Sequence, residues 1–132
     1  MRNATKNAGH SGNSTVTGVR PGRFGIVVVR GRSMSPVLKD GDRLLARYGA
    51  APRPGSLAVV RLPDGPSGPR PLSVKRVVHR DADGWWVERD NPAEGIDSWH
   101  VGAIADEDVV AVVLARLWPS PRPAGLLVPP PR

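Results

Sequence analysis

Apolar and β-branched residues gather along this chain in short runs at 24–30, 43–48, 57–62, 72–79, 84–89 and 109–117, with turn-forming residues between them. Runs of that length and spacing predict β-strands. In 72–79 the alternation puts Ser73, Lys75, Val77 and His79 on one face, and Leu72, Val74, Arg76 and Val78 on the other. Helical periodicity is nearly absent, with one turn expected at 105–108, because Pro and Gly at 52, 54, 55, 63, 65, 66, 68, 69 and 71 interrupt the middle of the chain. The stretch PDGPSGPRP at 63–71 reads as a loop with a mobile tip. The pattern therefore predicts one all-β domain over 23–118. Residues 1–22 are polar and aperiodic, a basic arm expected to be disordered. Residues 119–132 are proline-dense and expected to be an unpacked tail, in which Leu126 to Val128 is a weak docking signal.

Charge changes this picture little. The net charge of +7 suggests a nucleic-acid partner until it is located. Residues 1–23 and 119–132 carry six basic residues and no acid, which leaves 13 basic against 12 acidic over 24–118. A nearly neutral body argues against specific nucleic-acid binding and leaves the tails as loose electrostatic handles. The chain has no cysteine, which removes disulfides, thiolate metal sites and a cysteine nucleophile, and suits a reducing, cytoplasmic setting. The longest apolar runs, FGIVVV and VVAVVLA, fall far short of the roughly 20 residues of a transmembrane helix, so no transmembrane anchor is expected. The N-terminus lacks the apolar region of a secretory signal.

The candidate chemistry lies in RGRSMSPVLKDGDRLLARY, residues 30–48. Gly31 permits unusual backbone angles and Pro36 restrains Ser35, so Ser33 projects from a rigid turn. Turn serines usually supply only turn hydrogen bonds. A nucleophilic role needs a base, and two kinds are present. His79 or His100 would give a Ser-His-Asp assembly. Lys75, mid-strand in LSVKRVVHR, would serve if burial kept its amine neutral, the alternative being an edge position with the amine reaching water.

GRSMSP, followed by GDRLLA, resembles the serine box of the type I signal peptidases and their relatives, and VKRVV is similar to the box that holds their lysine base. RDNPAEGIDSWHVG resembles the third box, with Asp90-Asn91, Asp97-Ser98 and Gly102 at family-like spacing. The resemblance implies an all-β fold of the signal peptidase and SOS-repressor-peptidase type, with short strands in a coiled sheet or partial barrel. It makes Ser33 the nucleophile and Lys75 the base, with the Ser33 backbone N–H in the oxyanion hole. It gives Gly31, Met34, Pro36, Arg76, Asp90, Asn91, Asp97 and Ser98 supporting roles, among them an Arg76–Asp97 ion pair. Ile26, Val27, Val28 and Val29 would form an edge strand that pairs with substrate, and Met34 would help shape the groove.

Three departures stand out: Gly31 replaces a common hydroxyl residue, Arg89 replaces a usual Gly, and Trp99 stands where an Arg often follows Asp-Ser. With no membrane anchor expected, the chain most resembles the branch that matures nickel-type superoxide dismutase. The implied partner is that precursor with its N-terminal leader, and no metal or other cofactor is implied for the peptidase. The alternatives are a self-cleaving SOS-repressor-type peptidase cutting near Ala8-Gly9, a general signal peptidase homologue, and a non-enzymatic β module that holds acidic partners through its basic tails.

Overall fold

An apolar strand removed from water must pair its amides and carbonyls with neighbouring strands. The six apolar runs do this for one another in the computed structural model, which describes residues 16–17 and 23–129. The strands are β1 (Val16–Thr17), β2 (Phe24–Val28), β3 (Arg43–Tyr48), β4 (Leu57–Val60), β5 (Ser73–Asp81), β6 (Gly84–Glu88), β7 (Val109–Trp118) and β8 (Arg122–Pro123). They form one antiparallel sheet in the order β1-β2-β3-β7-β4-β5-β6, with β8 attached to β7. The expected all-β architecture is thus present as an open sheet. A short helix, α1 (Ser98–Val101), lies outside the predicted elements, and the single turn expected at 105–108 is a 3-10 turn at Asp106–Asp108.

β4 explains how the sheet forms two cores. Its four residues are all buried, and they alternate sides: Leu57 and Val59 join one apolar cluster while Ala58 and Val60 join the other. A strand covered on both faces needs a continuous apolar run. The first cluster gathers Val27, Val29, Leu44, Ala46, Val74, Ala111 and Val113, and the second Leu62, Val77, Val87, Ile104 and Val109. Register shifts against β3 and β4 let β7 serve both, since a bulge bends a strand and re-aims its side chains.

The segment from Pro119 departs from the unpacked tail expected of it. β8 pairs Pro123 with Ala115 and Arg122 with Arg116, and Leu127 is only 2% exposed inside the first cluster. One well-placed leucine after a 3-10 turn at Ala124–Leu126 docks the chain despite its prolines. The arm expected over residues 1–22 lies outside the described residues except for β1. The 63–71 loop closes on itself, because Gly65 and Gly68 exchange hydrogen bonds of 2.7 and 3.0 Å and Arg70 Nη1 donates to the Pro63 carbonyl at 2.7 Å. Among the described residues no helix is long and apolar enough to cross a membrane.

Tyr48 is 3% exposed in the first cluster, and its hydroxyl has no hydrogen-bond partner among the described residues; burial pushes its pKa up to about 12. An unpaired buried hydroxyl is destabilising. Tyr48→Phe should therefore leave stability unchanged or raise it by about 1 kcal/mol, read from the urea unfolding midpoint.

Candidate active site

The loop joining β2 to β3 is held shut at its base, where Val29 N–H donates to the Asp42 carbonyl at 2.8 Å and Gly41 N–H to the Val29 carbonyl at 2.7 Å. Gly31 adopts φ +82, a value that glycine reaches without a Cβ penalty, and its N–H donates to Asp40 Oδ1 at 2.7 Å. From the far side Asn91 clamps the turn: its backbone N–H donates to the Ser33 carbonyl at 2.8 Å and its Nδ2 to the Arg32 carbonyl at 2.9 Å. Ser33 is thereby fixed by main-chain bonds, half-buried, with its own amide unbonded among the described residues.

Lys75 lies in β5 opposite Ala58 of β4 and is 2% exposed. Its Nζ donates to Ser33 Oγ at 2.9 Å. Burial drives its pKa down from 10.5 to about 8; Asp97 opposes the fall and Arg89 adds to it. Removing an ammonium ion from water favours the neutral amine, the condition for a lysine base. Histidine is elsewhere: His79 stacks on Trp86 and His100 Nδ1 contacts Asp97.

Gly95 is a member of the site with no counterpart in the sequence reading. At φ +101 it presses bare backbone against the serine, and a Cβ there would lie 2.6 Å from Ser33 Cβ. The only hint in the sequence is a glycine in a loop between the Asp-Asn and Asp-Ser pairs.

The expected Arg76–Asp97 pair is not formed. Arg76 points to the face opposite Lys75, where Nε and Nη2 meet Asp90 at 3.3 and 2.7 Å, and Nη1 donates to the Gly55 carbonyl at 3.2 Å. β5 pairs Arg76 with Glu88 of β6, so the chain leaving β6 brings Asp90 within reach, while Asp97 lies on the lysine's side. Asp97 instead caps α1: it accepts from Trp99 N–H and Arg89 N–H, both at 3.0 Å, while its own N–H donates to His100 Nδ1 at 3.2 Å. Buried Ser98 accepts from Val87 N–H at 2.8 Å, tying α1 to β6. Arg89 braces the 92–97 loop through the Gly95 and Pro92 carbonyls, at 2.8 and 3.1 Å. Trp99, 73% exposed, donates to Glu88 at 2.9 Å.

A cleft of about 220 Å³ opens beside the Ser33–Lys75 pair, walled by the 30–33 turn, by Leu62, by the 70–73 segment and by the 94–96 loop. Met34, expected to shape it, is 2% exposed in the first core cluster, and its Sδ accepts from Asp90 N–H at 3.3 Å. One residue past Ser33, its side chain turns inward. Pro36 is exposed and outside the cleft wall. Val27 and Val29 are buried in the core, Ile26 and Val28 are half-buried, and none of the four lines the cleft. β2 is not a bare edge, because β1 pairs Val16 with Val27 and Thr17 with Ile26.

Residues 6–114 match the family described as Peptidase S24-like, so the chain belongs to that family and is a serine peptidase of the SOS-repressor and signal-peptidase type. No curated protein matches it.

Two outcomes follow from this geometry. Gly95→Ala should cost about 1–3 kcal/mol in urea unfolding, from a strained φ and a contact that must displace Ser33. Lys75→Met bears on pH. Below about 8 the folded and unfolded lysines are both charged, so the full burial penalty applies; between about 8 and 10.5 only the unfolded lysine stays charged, and the penalty fades as pH rises. Lys75→Met should exceed the wild type by about 1–3 kcal/mol at pH 7, and the advantage should narrow toward pH 10.

Proposed function

We propose that this peptidase uses Ser33 as nucleophile and Lys75 as general base, and that it removes a short N-terminal leader from a precursor, that of a nickel-type superoxide dismutase. The observation that carries the dyad is a buried lysine amine 2.9 Å from the hydroxyl of a serine pinned in a rigid turn. The substrate rests on the sequence resemblance.

In the proposed cycle neutral Lys75 takes the Ser33 proton as Oγ attacks the scissile carbonyl, and the Ser33 amide, unbonded among the described residues, donates to the developing oxyanion. Lys75, now charged, returns the proton to the leaving amine. Water, deprotonated by the same amine, then attacks the acyl-enzyme, and the departing Ser33 oxygen recovers a proton. The Gly31 amide is engaged by Asp40 and is not available for this role. An Arg or His base would not serve: arginine stays protonated, and neither of the histidines at 79 and 100 has been brought to the serine.

A second reading has its own support. Val16 and Thr17 of this chain pair with the outer edge of β2, the strand that the resemblance assigns to substrate pairing, so that edge is already occupied in cis by a strand of the chain itself. Cleavage near Ala8-Gly9 would then be intramolecular.

With a lysine pKa of about 8, about one tenth of the amine is neutral at pH 7. On mixing with leader-bearing precursor, kcat/KM should rise about tenfold per pH unit below 8 and level off above it. Ser33→Ala and Lys75→Ala should each lower it by about 10³-fold or more. Precursor left uncut by wild type at pH 9 overturns the substrate assignment. Loss of the first eight residues of the chain itself, at a rate independent of its concentration, selects the self-cleaving reading.

A further inference from the structure

The charge of the cleft differs from that of the domain. Over 24–118 basic and acidic residues nearly balance, yet the cleft wall carries Arg30, Arg32 and Arg70 against a single acid, Glu94. Seven arginines elsewhere have acidic or aromatic partners: Arg61, Arg76, Arg80, Arg89 and Arg116 lie within 4.0 Å of aspartates, and Arg43 and Arg47 lie over the rings of Trp118 and Phe24. The three in the cleft pair with no carboxylate among the described residues. Arg30 and Arg32 are exposed on the turn that carries the serine. Arg70 is half-buried and anchored by Nη1 to the Pro63 carbonyl at 2.7 Å, which leaves its other N–H groups without a partner among the described residues. An anchored guanidinium presents a preorganised fork to a carboxylate, and loses little freedom on binding one.

We propose that the cleft selects peptides with an aspartate or glutamate within a few residues of the scissile bond, its carboxylate held by Arg70 together with Arg30 or Arg32. The proposal rests on the peptidase reading above and names the class of sequence that site takes. A carboxylate in a partly enclosed, cationic cleft is less screened than one on an open surface, and the same arginines speed the approach of an acidic chain.

Two sets of internally quenched peptides with a central Ala-Ala bond test this, one with Asp and one with Asn at each of four positions on either side. Cleavage by wild type and anisotropy-monitored binding to Ser33→Ala are measured in parallel. At one position or more the Asp peptide should be cut and bound about tenfold better than its Asn twin, with the advantage shrinking in about 0.5 M salt. Arg70→Glu should abolish the advantage or transfer it to a Lys peptide. Arg32→Glu, at an exposed position that spares the fold, should weaken it, with the urea midpoint confirming that both variants remain folded.

Equal cleavage of Asp and Asn peptides keeps the peptidase and overturns the acidic selectivity. A preference that survives both charge reversals overturns it as well. Selective binding of Asp peptides by Ser33→Ala, with none cut by wild type, keeps the selectivity of the cleft and overturns the peptidase. Failure to bind or cut any peptide overturns both.

Discussion

A lysine amine withdrawn from water beside one hydroxyl is the constraint around which this fold is arranged. At 2% exposure with its pKa near 8, Lys75 is destabilising to the sheet that contains it at neutral pH. β4 flanks it on one side, with Ala58 as its register partner, and β6 begins to pair with β5 one residue on, at Arg76. The residue has no structural reason to be lysine at that depth, since an apolar side chain would pack the strand with less strain. What it gains there is a contact with Ser33 Oγ and a neutral fraction that water would deny it.

That cost fixes much of the surroundings. A serine that must meet a stationary amine cannot wander, and its turn is bonded at both ends and from behind, through Gly31 to Asp40 and through Asn91 to residues 32 and 33. Alternation in β5 then separates two cations that differ in kind. Lys75 forms no ion pair with a carboxylate among the described residues, while Arg76, one residue on, is neutralised by a two-point contact with Asp90 on the other face. Exchanging the partners would pin the ammonium form of Lys75 and leave the arginine unpaired.

The strands were legible because their signal is local. Each of the six runs matches an observed strand to within a few residues, and period-2 alternation correctly separates Lys75 from Arg76. Ser33 and Lys75 stand out as candidates in the sequence because a turn serine and a lysine inside an apolar strand are both unusual, and the structure brings the two side chains to 2.9 Å. Longer-range features were not legible. Whether Asp90 or Asp97 meets Arg76 depends on where the chain goes after β6, which no motif spacing encodes. The approach of Gly95 to Ser33 depends on a loop folding back on a turn far away in sequence, and the docking of Leu127 on a single side chain finding the core through a run of prolines. Two-residue strands such as β1 and β8 carry no periodicity at all.

Asp97 shows how the lysine is tuned rather than merely buried. Its carboxylate is 3% exposed on the lysine's side of the sheet and by charge alone would favour ammonium there. Its lone pairs are taken by the amides of Trp99 and Arg89, with the Arg89 guanidinium 4.0 Å away and the His100 ring at 3.3 Å. A carboxylate so occupied projects a weakened field, and Arg89 opposes it directly at the lysine. Arg89 therefore acts in two ways, bracing the loop that presses Gly95 on the serine and offsetting the Asp97 charge that favours a protonated amine.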